Sequence, residues 1–263
     1  MNSTDLKFFT NEPERDLYSR FSAILKSNTQ FFDVLVGYFR SSGFFNMYEA
    51  LDTVEKIRIL VGLNVDLFTV KIIDLANDEY TPVAVSAKQG KEILEAEVEQ
   101  EFAEAEATSA VEKGVRVFVD WLKNGKLEMR MYTKSPIHAK VYIMRKDPEK
   151  VPDLFGSVIT GSSNFSAAGL KNNLEFNVEL KDTPDVIFAL DHFENLWEDG
   201  IDIRDAYIEA VAKKTWMRDD ITPYELYLKT IYEFFKEEFN EDKKPIASLL
   251  PDGFMRLQYL YHT

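Results

Sequence analysis

The sequence predicts an α/β protein: a mixed central sheet flanked by helices and continued by a C-terminal helical extension. Three observations lead there. Apolar runs of strand length recur between residues 31 and 180, stretches with helical spacing separate them, and beyond Gly200 every convincing segment is helical.

In chain order, Asn11-Glu12-Pro13-Glu14 has the cap-and-glutamate spacing of a helix start, with Asn11 as the cap. Leu17, Phe21, Ile24 and Leu25 then form the apolar stripe of that helix. Residues 31–39 (FFDVLVGYF) read as a buried strand, residues 41–54 as a helix, and residues 56–63 (KIRILVGL) as a second strand. Residues 88–123 begin rich in Ala and Glu and turn apolar at Val115, Phe118, Val119 and Leu122, which predicts one long helix or two in succession. The acidic part is expected to face water. Strands then crowd together at residues 127–132, 138–144, 156–160 and 174–180, separated by loops that contain Pro or Gly. Helices are expected at residues 185–198, 203–216 and 223–239, with a domain boundary near Gly200 that divides residues 1–200 from an extension over 201–263. Lys243-Lys244-Pro245 and Pro251-Asp252-Gly253 are turn chemistry that ends the last helix. There is no internal repeat.

At 263 residues and 45% hydrophobic, the chain can bury a substantial core. No run reaches the roughly 18 apolar residues of a membrane helix, and the first five residues lack the regions of a secretory signal. A soluble, cytoplasmic protein without a membrane partner is expected. The absence of cysteine excludes disulfides, thiolate catalysis and cysteine-held metals, and three scattered histidines leave little for other transition metals. A net charge of −14 argues against broad adhesion to nucleic acid or anionic lipid. The charge is uneven, however. Residues 88–112 hold two basic and eight acidic residues, whereas residues 126–150 hold seven basic and three acidic ones. The basic island reads as a positive floor for a phosphodiester, or as an ordinary solvated surface.

That island contains His138, within Ile137-His138-Ala139-Lys140-Val141-Tyr142-Ile143. On a strand, His138, Lys140 and Tyr142 would share one face, leaving Ile137, Ala139, Val141 and Ile143 for the core. His138 supplies a nucleophile or proton-transfer group and Lys140 a fixed cation, both of use to a phosphodiester transition state. Downstream, Gly161-Ser162-Ser163-Asn164 is a turn that can direct hydroxyls, an amide and backbone N–H groups at an anion. In residues 174–180, Glu175, Asn177 and Glu179 alternate on a polar side, and Glu175 is placed to accept a hydrogen bond from one nitrogen of His138. Each piece alone is ordinary turn or strand chemistry; their order is what points to a site.

Taken together these residues resemble the phospholipase D superfamily, whose signature is His-x-Lys with an Asp after four more residues, then Gly-Ser-x-Asn, then a Glu. The resemblance covers roughly residues 31–198 and extends to Val36-Gly37-Tyr38-Phe39-Arg40-Ser41-Ser42-Gly43-Phe44 and Ile59-Leu60-Val61-Gly62-Leu63. One position departs: Arg145 stands where the signature has Asp, with Asp147 two residues on, and tyrosyl-DNA phosphodiesterases also lack that Asp. The resemblance implies a phospholipase D-like sheet and phosphodiester hydrolysis or transfer without metal or other cofactor. It further implies that His138 attacks phosphorus to give a phosphohistidine, with Lys140 and Asn164 on the non-bridging oxygens and Ser162 or Ser163 assisting. The family needs a second such histidine. His192 lies in a helical Asp-His-Phe and His262 is penultimate, so a homodimer sharing one site is implied.

The helical tail after such a domain resembles the N-terminal module of bacterial Snf2-type helicases, with Leu250-Pro251-Asp252-Gly253-Phe254 and Leu257-Gln258-Tyr259 just before a motor. No P-loop run occurs, so ATP binding would lie outside this sequence. The expected activity is that of a DNA nuclease module of a helicase. The alternatives are a catalytically idle module that grips DNA or a partner, and a phospholipid hydrolase or synthase.

Overall fold

The computed structural model describes residues 7–12, 15–62, 87–104, 109–146, 155–214 and 223–240. It is built on an eight-stranded mixed sheet. In chain order the strands are β1 (Lys7–Phe9), β2 (Phe31–Val36), β3 (Lys56–Val61), β4 (Leu127–Met131), β5 (Lys140–Arg145), β6 (Gly156–Gly161), β7 (Asn177–Leu180) and β8 (Ile201–Asp202). Their order across the sheet is β1-β7-β6-β5-β2-β3-β4-β8. β2, β3 and β4 run parallel, and β5 to β7, β1 and β8 pair antiparallel with their neighbours.

The helices are α1 (Leu17–Asn28), α2 (Ser41–Leu51), α3 (Ala87–Glu104), α4 (Ser109–Asn124), α5 (Thr183–Glu198), α6 (Arg204–Lys214) and α7 (Pro223–Asn240), with a π-helical turn at Ala168–Asn172. β2 and β3 are nearly continuous apolar runs because both their faces are covered. Phe32, Val34 and Val36 join Ile57, Ile59 and Val61 in the larger core, which α1, α2, α3, α4 and α6 complete. Leu35 and Leu60 turn the other way and pack with Val186, Phe193 and Trp197 of α5.

Three expectations change. The cap of α1 is Asp16, whose carboxylate accepts from the Ser19 N–H at 2.7 Å. Asn11 instead takes φ 60°, accepts from the Leu17 N–H at 3.1 Å and donates to the carbonyls of Gly169 and Asn173 at 3.0 Å. It ties the start of the chain to the π-helical turn. The acidic stretch is not uniformly a solvated face: Glu101 accepts from the Ser41 hydroxyl at 2.9 Å and from the Ser42 N–H at 3.1 Å, capping α2. Finally, packing does not stop at Gly200. β8 pairs with β4, and Ile203, Ala206, Tyr207, Ala210 and Val211 lie in the main core. The segments around residues 243–245 and 250–262, His262 included, lie outside the described residues.

Candidate active site

Because β2, β3 and β4 are parallel, their C-terminal ends share one edge of the sheet. β5 and β7 begin at that edge and β6 ends there. In open sheets of this kind the crevice beyond the carboxyl ends of the parallel strands is where ligands bind.

His138 stands there, exposed, two residues before β5 starts. The strand expected from residue 138 begins at Lys140. Two glycines bring this segment in. The Gly37 N–H donates to the Ala139 carbonyl at 3.1 Å, and a Cβ on Gly37 would lie 2.6 Å from the Ile137 carbonyl oxygen. A Cβ on Gly62 would lie 2.9 Å from the Gly37 carbonyl oxygen. Both glycines are needed for close approach beneath the histidine.

Lys140 is half-buried and donates from Nζ to the His138 carbonyl at 2.8 Å. The expected division of β5 into a polar and a core face does not hold beyond this residue. Tyr142 and Met144, on the same face as Lys140, are buried in the larger core, while Ile143 belongs to the core under α5. His138 and Lys140 escape burial only because they sit at the strand's end.

The turn after β6 is held from within. A Cβ on Gly161 would lie 2.2 Å from the Phe176 carbonyl oxygen and 2.6 Å from Asn177 Oδ1, so that crossing requires glycine. Ser163 is fully buried and all three of its polar groups are engaged. Its N–H donates to Asn177 Oδ1 at 3.3 Å, its hydroxyl oxygen accepts from Asn177 Nδ2 at 2.9 Å, and its carbonyl accepts from the Tyr142 hydroxyl at 2.6 Å. Ser163 is therefore not on the anion's side, and its expected phosphate contact is corrected to one of shaping the turn. Burial, reinforced by the nearby Glu175 and Tyr38, pushes the Tyr142 hydroxyl well above the usual tyrosine range, so it stays a donor.

Ser162 is exposed, but its hydroxyl donates to Glu175 and its oxygen accepts from the Phe176 N–H at 3.0 Å. Glu175 thus bonds Ser162 and, at 3.5 Å, Asn173 Nδ2; among the described residues no side-chain hydrogen bond joins it to His138. The reason is that Glu175 precedes β7, in a segment where Leu174 and Phe176 face solvent, 82% and 62% exposed. Asn177 and Glu179, expected on a polar side, are buried beneath the sheet. Asn164 is the exception in the turn: its Oδ1 is buried and has no hydrogen-bond partner among the described residues. Turning the amide over would put the NH2 there instead, so the position keeps unspent hydrogen-bonding capacity either way.

The basic island does not assemble as a floor. Lys126 lies over the Trp121 ring and donates to the Asp52 carbonyl at 2.7 Å, Arg130 donates to the Trp197 carbonyl at 2.8 Å, and Lys134 pairs with Asp199 at 2.7 Å. Arg145 ends β5 opposite Phe31, at the far edge of the sheet, and pairs with buried Asp33 at 2.9 Å. Its charge does not reach the site. His192 is exposed on α5.

Sequence reasoning missed Tyr142 and Asn177 as the residues that fix the turn. The signal was present: each continues a period-2 run, Tyr142 from His138 and Lys140, and Asn177 from Glu175.

A family model described as "Cardiolipin synthase, PLD-like domain" matches residues 21–197. Among curated proteins none matches. Among solved structures, the chain is similar to a phospholipase D family member, Nuc from Salmonella typhimurium, at 16% identity and a TM-score of 0.41, covering 75% of this chain and 97% of that one. NucT from Helicobacter pylori is similar at 13% identity and a TM-score of 0.42, covering 75% and 98%. Phosphatidylserine synthase from Haemophilus influenzae is similar at 11% identity and a TM-score of 0.46, covering 88% of this chain and 45% of that one.

Proposed function

We propose, from the premise that this chain belongs to the phospholipase D-like family, that it is a phosphodiesterase acting on nucleic acid through His138. One observation carries the reading: exposed His138, the Lys140 ammonium and Asn164, whose Oδ1 has no hydrogen-bond partner among the described residues, lie at the same sheet edge. In this reading His138 attacks phosphorus and the bond to the leaving oxygen breaks, giving a phosphohistidine that water then cleaves. Lys140 and Asn164 hold the non-bridging oxygens. Ser162 and Glu175 hold the turn, and Glu175 acts through Ser162.

The leaving oxygen needs a proton, and a second copy's His138 would supply it in a homodimer. An exposed apolar strip beside the turn supports such pairing. Phe8, 39% exposed, lies 5.4 Å from Phe176 between ring centroids, and the Phe176 N–H is bonded to Ser162. Attachment to a helicase motor belongs to the same reading and rests on residues 250–259, outside the described residues. Among the described residues no helix is long and apolar enough to cross a membrane.

The test is incubation of the purified protein with DNA in excess chelator, beside His138→Ala. Cleavage by the parent and a loss of about 10²–10⁴-fold in the variant are expected, with an unchanged melting temperature because His138 is exposed. No cleavage by the parent over a range of DNA substrates and pH sinks the reading. If DNA is then still retained, with a salt dependence that Lys140→Ala weakens, an idle binding module takes its place.

A further inference from the structure

At the opposite edge of the sheet, a cavity of about 390 Å³ opens between α1 and the far ends of β5, β6 and β7. It is separate from the candidate active site: Met144, Gly156 and Lys181 line it, whereas His138 precedes the other end of β5. Five residues of extended chain divide Lys140 from Arg145, about 16 Å.

The charge of its lining is unusual for so acidic a chain. Among the described lining residues, Arg20, Lys146 and Lys181 face a single carboxylate, Glu179. Glu179 is 2% exposed and is occupied by Arg20, accepting from Nε at 2.9 Å and from Nη2 at 2.6 Å. This side-on pair fixes the guanidinium plane and leaves Nη1 without a hydrogen-bond partner among the described residues. Lys181 stands 3.7 Å from the same carboxylate, and Lys146 has no side-chain partner among the described residues. Ser157, a residue only 6% exposed, also lines the cavity. Three cations thus share one carboxylate among the described lining residues, while Met144 and Phe155 give the cavity an apolar side.

We propose that this cavity is a second ligand site, for a small phosphorylated molecule of roughly mononucleotide size. The volume falls in the range of small-molecule sites, larger than a bare phosphate needs. The excess of two cations over the buried carboxylate among the described lining residues favours a dianion. The guanidinium, immobilised before any ligand arrives, loses little freedom on binding. The proposal does not rest on catalysis at His138.

Isothermal titration calorimetry of the full chain with adenosine monophosphate and with inorganic phosphate tests it. Adenosine monophosphate should bind at one site per chain and more tightly than phosphate, because only it reaches the apolar side. The Lys146→Ala/Lys181→Ala double variant should lose about tenfold or more in affinity, with the Lys146→Arg/Lys181→Arg variant restoring it. Neither side chain is buried and both substitutions leave the Arg20–Glu179 pair intact, so a thermal melt should show a folded protein. Lys140→Ala should leave binding unchanged. No heat with either probe, equal affinity for the two, binding undiminished in the double alanine variant, or binding abolished by Lys140→Ala would each overturn the proposal.

Discussion

β5 carries a cation at either end, and the two ends differ in what surrounds the charge. At its start Lys140 rests on a backbone carbonyl beside an exposed imidazole. At its finish Arg145 lies over the Phe31 ring and pairs with Asp33, which also accepts from Arg58 at 2.6 Å. Arg58 in turn grips Glu194 of α5 with two bonds of 2.7 and 2.9 Å. The far end is therefore a charge network that clamps β2, β3, β5 and α5, whereas the near end keeps a cation free of any carboxylate among the described residues. A count of charges along the sequence ranks the two ends as equals. Their difference lies in where a counter-ion is already built in: Arg145 is spent on Asp33, whereas Lys140 bonds only a backbone carbonyl among the described residues.

The largest effect that sharpens this contrast is on stability. Asp33→Ala leaves Arg58 and Arg145 without their shared carboxylate, and urea unfolding should show a loss of about 3 kcal/mol, the low end for a broken buried pair because Arg58 keeps Glu194. Cleavage per folded molecule should not change. If it falls with stability, the two ends of β5 are coupled and the contrast fails.

Tyr142→Phe probes the other end with a smaller perturbation. It removes only the hydroxyl that donates to the Ser163 carbonyl, leaving that oxygen buried and unmet, at a cost of about 1–3 kcal/mol. Here the turn is part of the proposed site, so steady-state kinetics on a DNA substrate should show turnover reduced several-fold beyond what unfolding explains, with KM little changed. Equal turnover per folded molecule would show that the Ser163 turn serves the fold alone.

Much of this was legible in the residues. The apolar runs of β2 and β3 and the His-x-Lys and Gly-Ser-x-Asn segments fall at or within two or three residues of where the strands and the turn form. What could not be read was which groups are already spent. Whether Ser163 points to solvent or to Asn177 depends on a pairing between β6 and β7 that brings Gly161 against Asn177, fourteen residues after Ser163. Likewise Tyr142 reads as a member of a polar face until α1 covers that face with Phe21, whose ring lies 4.9 Å from it. The pairing of the Arg145 charge depends on an aspartate 112 positions away. Local alternation sets the direction of a side chain, and long-range pairing sets whether anything is left for it to do.

Glu101 supplies the finest test, because it shows that charges near the site edge are not all free. It caps α2, which follows directly from β2, and burial raises its carboxyl pKa above the ordinary value near 4.5, opposed by Ser41, Ser42 and Arg40. A raised acid means that the folded state holds a proton the unfolded chain has released. Stability should therefore fall as pH rises from about 4.5 through the folded value, with the full penalty present above it. Glu101→Gln keeps an oxygen that can accept from Ser41 and Ser42 and removes the charge. Urea unfolding across pH should lose that downward slope in the variant, which should be the more stable protein at neutral pH. Cleavage should be untouched. A variant less stable than the parent at neutral pH would mean that the carboxylate's bonds to the start of α2 outweigh its burial.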